Sequence, residues 1–323
     1  MSDENQHWVP KFLIKNFADG DGRVFCLDIH TDRVTKPSPR QAASEKGFND
    51  FQVEGEAISF EHRLEKIETR AAPILKRMIT ERQLTALSAE DRRRVAEFIA
   101  AQSFRTKAFY EGLSVKMDRD AFASKFSLLL DGIEILAAEI ARRHWVLMVA
   151  TGGETFYLGD NPTVLQRTDN PRDGSQLGFD VAGVEAFLPL TPRCALYMPC
   201  RTTSEERVAR YNAALDLHRV VRSAALRGQP GGSDELRLAQ LVISRLDPLY
   251  QAMTTGVALT AQPEHVENLN YLQCSWAHSA LYASSQGFTF ARRVFRENPQ
   301  YRETPTTSLI EMVAIVPDRA DRP

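Results

Sequence analysis

The chain has only four cysteines in 323 residues, Cys26, Cys194, Cys200 and Cys274, with no CxxC pair and no histidine at zinc-finger spacing. That scatter argues against a structural zinc site and fits free, mostly buried thiols in a reducing compartment. No uncharged apolar run approaches the ~20 residues that a membrane-spanning helix needs. Even SLLLDGIEILAAEIA carries Asp131, Glu134 and Glu139. The start, MSDENQHW, is acidic and polar, unlike a signal or transit peptide. The expectation is a cytoplasmic protein that meets no membrane.

An excess of one charge is also missing. The formal net charge is −2 and the pI about 6.4, so no global positive field recruits nucleic acid or anionic lipid. The run Arg92-Arg93-Arg94 sits at the start of an amphipathic helix and reads as a solvated face. GxSxG, GxxxxGK[ST] and GxGxxG are absent, which removes the commonest hydrolase, P-loop and dinucleotide readings. His62, His144, His218, His265 and His278 show no HExxH or HxH spacing. No (D/E)xK follows Asp160 on the next strand, so the PD-(D/E)xK nuclease signature is missing as well.

What is present is an ordinary globular composition, 43% hydrophobic and 25% charged. Pro10 starts a short helix with Phe12, Leu13, Asn16 and Phe17 on one face, ended by Asp19-Gly20. RVFCLDIHTDRVTK reads as two strands around His30-Thr31-Asp32, and FNDFQV as another. A helix from Ser59 carries the stripe Leu64, Ile67, Ala71, Leu75 and Met78. A second opens on a Ser88–Asp91 capping box and runs to about Gly112; a third covers 120–143. HWVLMVATGGETFYLGDNPTVL suggests a hairpin around Gly152-Gly153. VEAFLPL and CALYMP follow as strands, then helices from Ser204 to about Val221 and over 234–255 and 263–284. RRVF and LIEMVAIVP are late strand candidates. Strands, helices, strands and helices without βαβ alternation predict an α+β fold, with a mixed or antiparallel sheet, hairpins and several long packed helices. Residues 1–323 read as one domain, the weakest point being 143/144. E-x-V-x-x-[YL]-N occurs at 206–212 and 264–270, suggesting two helices that each place an Asn one turn after a buried Val.

Several polar residues occupy apolar positions. Glu68 lies within the first helix's stripe, with Glu61 two turns earlier on the same face. Gln102 and Arg105 interrupt the second stripe. A buried charge is expensive unless paired, so Glu68–Arg105 reads either as a structural ion pair or as part of a pocket with Glu61. Asp160-Asn161-Pro162 reads as a strand stop, or as a strand-end carboxylate that holds a metal or activates water. The helix starting at Pro10 points free N–H groups back at His7 and disfavours a protonated ring there.

The motifs H-x-V-P-x-F-L-I-x-x-F, I-E, A-x-Q-x-x-R, F-Y-L-G-D-N-P and L-P-L-T-P, in this order, resemble the domain of unknown function 4238 family. The resemblance runs from His7 to about Tyr282. It implies that His7, Glu68, Arg105, Asp160 and Asn270 are family-motif positions. Trp8 stands where the family has Tyr or Phe. Gly159 replaces Ser or Thr, which removes a hydroxyl just before Asp160. The leading expectation is a hydrolase of nuclease or phosphodiester type with His7, Glu68, Arg105 and Asp160 catalytic. Glu61, Gln102, Asn161 and Asn270 would bind substrate, and Asp160 with Glu68 would hold a divalent metal if one is used. The rival is a non-catalytic binding or partner-sensing component of a bacterial defence or toxin system. There the same residues form a structural network, and 167–178 or 228–233 contact a protein partner.

Overall fold

The computed structural model describes residues 4–53, 56–114, 132–168, 177–227 and 232–303. The N-terminal segment runs through β1 (Asn5–His7), α1 (Lys11–Lys15), β2 (Phe25–Asp28), β3 (Val34–Thr35), β4 (Ser44–Lys46), β5 (Asp50–Val53) and β6 (Glu56–Ser59). β1 pairs with β4, β2 with β3, and β5 with β6, all antiparallel. Pro10, with φ −52° and ψ 133°, delivers an extended chain into α1. Leu13, Ile14 and Phe17 bury themselves there, and Phe12 is half-buried. Asn16 is exposed at the helix end, with its Nδ2 donating to the Leu190 carbonyl at 3.0 Å.

The helical section comprises α2 (Glu61–Glu81), α3 (Ala89–Phe104), α4 (Lys107–Ser114) and α5 (132–142). The α2 stripe from Leu64 to Met78 is buried as its period requires. α3 opens on the expected capping box, Asp91 N–H donating to Ser88 Oγ at 3.0 Å. From Val95 to Phe104 it is buried on every side. The single helix expected to Gly112 is in fact two. Arg105 leaves helical geometry at φ −99°, ψ 30°, and Thr106 Oγ1 accepts from Phe109 N–H at 3.2 Å to start α4. Arg92 also departs from the expected solvated face. It donates to the carbonyls of Ala141 and Arg143 and lies 4.3 Å over the Trp145 ring, closing the end of α5. Arg93 and Arg94 do pair with Glu90 on the surface.

Next come β7 (Val146–Ala150), β8 (Leu158–Gly159), β9 (Val164–Arg167), β10 (Val184–Thr191) and β11 (Cys194–Met198). They are followed by α6 (Arg201–Leu226), α7 (Ser233–Thr255), β12 (Leu259–Ala261), α8 (Pro263–Trp276), β13 (Ala280–Ala283) and α9 (Thr289–Glu297). A five-stranded sheet has the order β12-β7-β11-β10-β9 and a four-stranded sheet the order β3-β2-β13-β8, while β1-β4 and β5-β6 stand as two-stranded sheets; only the β12–β7 pair is parallel among the described strands. The architecture is α+β, as the element order implied.

Three local expectations change. β7 and β8 do not form a hairpin: β11 and β12 occupy both edges of β7, so the chain crosses to the second sheet and β8 pairs with β13. The helix expected over 263–284 stops at Trp276, because Ala277 turns extended and the Asp160 carboxylate captures the next three backbone N–H groups. RRVF is helical, within α9, where Ala291, Val294 and Phe295 form a buried face at helical spacing. The echo also divides. Asn270 is buried after buried Val266, but Asn212 is exposed and Val208 only half-buried. LIEMVAIVP, 120–131, and most of 167–178 and 228–233 lie outside the described residues.

Candidate functional site

β1, α2 and the α3/α4 break place four of the expected residues in one neighbourhood. Arg105 is 3% exposed and its Nη1 meets Glu68 Oε1 at 2.5 Å. Its Nη2 lies 3.4 Å from Gln102 Oε1, and Gln102 Nε2 donates to the Trp8 carbonyl at 2.7 Å. Gln102 thus fastens the segment carrying His7 onto α3. The half-buried His7 ring has Nε2 3.2 Å from the Pro39 carbonyl. Burial lowers the His7 pKa below its ordinary value, the nearby Arg105 charge adds to that, and Glu68 opposes it. Burial is the leading cause, not the α1 end to which the sequence pointed.

Glu61 joins the same group. Asn49 Nδ2 donates to its Oε2 at 2.5 Å, while Asn49 Oδ1 accepts from the Tyr110 hydroxyl at 3.0 Å. Burial raises the Glu61 carboxyl above its ordinary value, against the pull of Asn49 and Arg105. Arg105 Nε and Trp8 Nε1 are buried with no hydrogen-bond partner among the described residues. Such orphaned donors cost free energy, on the order of 1–3 kcal/mol each, unless something binds them.

Asp160 belongs to a second cluster. Its carboxylate accepts from the backbone N–H groups of His278, Ser279 and Ala280 at 2.8, 2.8 and 3.1 Å and from the Ser279 hydroxyl at 2.6 Å. Both oxygens therefore hold the α8–β13 turn. Beside Asp160, both polar atoms of the Asn161 side chain, Thr163 Oγ1 and His278 Nδ1 are buried without a partner among the described residues. The clusters touch through neighbours on α4: Tyr110 bonds Asn49, and Glu111 Oε2 lies 3.0 Å from His278 Nε2. Beside the first cluster, the Ala43 carbonyl accepts from Trp8 N–H at 3.0 Å. Ala43 sits at φ +48°, a left-handed conformation that is costly for a side-chain-bearing residue.

The structure thus gathers His7, Glu61, Glu68, Gln102 and Arg105, and sets Asp160 and Asn161 in the adjoining cluster. Asn270 stands apart from both. Its Oδ1 accepts from Tyr157 N–H and its Nδ2 donates to the Thr155 carbonyl, each at 2.8 Å, so it guides the chain into β8. The two oxygens of Asp160 are committed to the turn and Glu68 Oε1 to Arg105. Among the described residues no group of three or more His, Cys, Asp or Glu side chains is placed to hold a metal ion. Sequence reasoning missed Asn49, Tyr110, His278 and Gln273. Gln273 is fully buried, accepts from Gly159 N–H at 2.6 Å and donates to the Pro162 carbonyl at 3.0 Å. A Cβ at position 159 would lie 2.9 Å from Gln273 Oε1, so glycine gives this amide room. A polar residue on an otherwise buried helix face was the only available signal, and Gln273 carries it.

Fold and site together define an α+β protein with linked polar clusters, set among β1, the helices α2 to α4 and the β8–β13 pair of the four-stranded sheet. The chain belongs to the family described as protein of unknown function (DUF4238), whose family model matches residues 5–287. No curated protein and no solved structure matches the chain. No helix among the described residues is long and apolar enough to cross a membrane.

Proposed function

We propose that the chain is a hydrolase of phosphodiester type working by acid–base chemistry at the His7–Glu61–Arg105 cluster. The observation that supports this most is the pair of buried orphan donors, Arg105 Nε and Trp8 Nε1, beside a histidine and a carboxyl whose pKa values are displaced in opposite directions. His7, favoured in its neutral form, takes a proton from the attacking water. Glu61, held above the usual carboxylate range, returns one to the leaving oxygen. Arg105 Nε donates to the negative charge that develops in the transition state, while Glu68 and Gln102 fix its guanidinium plane. Asp160 is a positioning residue that holds the turn bearing His278. A divalent metal, if used, would need ligands beyond Asp160 and Glu68.

A non-catalytic binding protein is the second reading. It is favoured by the mutual bonding of Asn49, Glu61 and Tyr110 and of Glu68 with Arg105, which resembles a structural network. The full chain incubated with chromogenic phosphodiesters, phosphomonoesters and carboxylic esters, with and without Mg²⁺ or Mn²⁺, separates the two. Diester turnover is expected, with His7→Ala lowering it about 10²-fold or more at an almost unchanged melting temperature. A chain inactive on every ester, or His7→Ala at the full rate, overturns the hydrolase reading.

A further inference from the structure

One face of the five-stranded sheet, with α6, α7 and α8, borders an open cleft of about 430 Å³ that shares no residue with the His7–Arg105 cluster. That volume falls within the ~300–1,000 Å³ of small-ligand sites. Residues two apart on a strand share a face, so Glu185 and Phe187 of β10 both line it. Phe187 is paired in register with Tyr197 of β11, and their rings stack at 4.8 Å and 12°.

A carboxylate at a 5% exposed sheet position needs compensation, and Glu185 has it through one oxygen. Oε1 accepts from the Tyr197 hydroxyl at 2.6 Å and lies 3.3 Å from Arg207 Nη2. Arg207 Nη1 in turn donates to the Tyr197 hydroxyl at 2.9 Å. Burial pushes the Tyr197 phenol far up, so it remains the donor. Oε2 takes no hydrogen bond from the described residues, which leaves a fixed, charge-balanced acceptor on the cleft wall.

Two other lining groups offer the opposite chemistry. His265 Nδ1 accepts from Gln262 N–H at 3.2 Å, so in the neutral ring Nε2 carries the hydrogen and donates. Arg245 is exposed on α7 and forms no ion pair or hydrogen bond among the described residues. With Arg207 balanced by Glu185, Arg245 leaves the lining one positive charge in excess. Leu249 and Leu259 complete an apolar wall. An occupant that satisfies all of this is flat, carries an N–H donor, and bears an anionic group.

We propose that this cleft binds a nucleoside monophosphate, with the base against the Phe187–Tyr197 pair, a base N–H on Glu185 Oε2, and the phosphate on Arg245 and His265 Nε2. Isothermal titration calorimetry of the full chain with AMP, GMP, CMP and UMP tests it, using the matching nucleosides and inorganic phosphate as separate probes. One nucleotide saturates the site, and its nucleoside binds about tenfold more weakly. Arg245→Gln, at an exposed position, lowers nucleotide affinity about tenfold and leaves nucleoside affinity unchanged. Glu185→Gln lowers both, and the Arg245 variant keeps the test independent of any folding defect at the buried position. Failure of all four nucleotides to bind, unchanged affinity in Arg245→Gln, or phosphate alone binding as tightly as nucleotide overturns the proposal. Because binding is read without turnover, a chain that hydrolyses nothing leaves this test intact.

Discussion

His7 and Glu61 are neighbours of the same Arg105–Glu68 pair, yet burial drives their protonation in opposite senses. Each is pushed toward its neutral form, which is deprotonated for histidine and protonated for the carboxyl. The folded pKa of His7 lies below the unfolded value of about 6.5, so between the two values the unfolded chain binds more protons. Its contribution to stability is therefore present above about pH 6.5 and is lost as the pH falls toward the folded value. Glu61 works the other way: the folded chain keeps its proton longer, and its contribution is lost as the pH rises through the raised value. Urea titrations from about pH 7 down to about pH 5 should show the midpoint falling in the native chain and falling less in His7→Gln. Equal slopes would mean that His7 is not desolvated in the fold. Glu68, Gln102 and Arg105 were legible because each is polar on an apolar helix stripe, and His7 because it stands just before the helix that Pro10 starts. Asn49 was not: it fell inside the strand read in FNDFQV, where a polar residue is ordinary, and only the structure sets it in the turn before β5.

At the scale of elements, periodic stripes were readable and partners were not. The α2 stripe and the Ser88 cap depend on neighbours within a turn or two of helix, so the sequence carries them directly. The Gly152-Gly153 hairpin failed because a turn signal says nothing about whether the preceding strand still has a free edge. The helix over 263–284 failed because Asp160, more than a hundred residues earlier, outcompetes the helical carbonyls for three N–H groups. Asp160→Asn would turn part of that acceptor into a donor facing backbone donors. It should cost about 3 kcal/mol of unfolding free energy, measured by urea denaturation. A loss under about 1 kcal/mol would show that the α8–β13 turn holds without the carboxylate.

Across the whole molecule, Arg143 bears on the one point where the chain looked divisible. Buried to 4% exposure at the end of α5, it donates to the carbonyls of Phe179, Val184 and Met198. The residue at the apparent division thus ties the helical section to the five-stranded sheet. Unfolding in urea followed by far-ultraviolet circular dichroism and by tryptophan fluorescence should give one coincident transition. Two separated transitions would restore a boundary near 143/144. By itself the sequence carried the α2 and α3 stripes and cap, several strand positions, the family and the polar residues worth following, because these rest on local period, capping and motif order. Only the tertiary structure decided which strands share a sheet, that Asp160 serves a turn while His7 joins Arg105, and that Glu185 faces a cleft. Those outcomes depend on which distant groups reach a backbone edge or a buried charge first, and no local pattern encodes that competition.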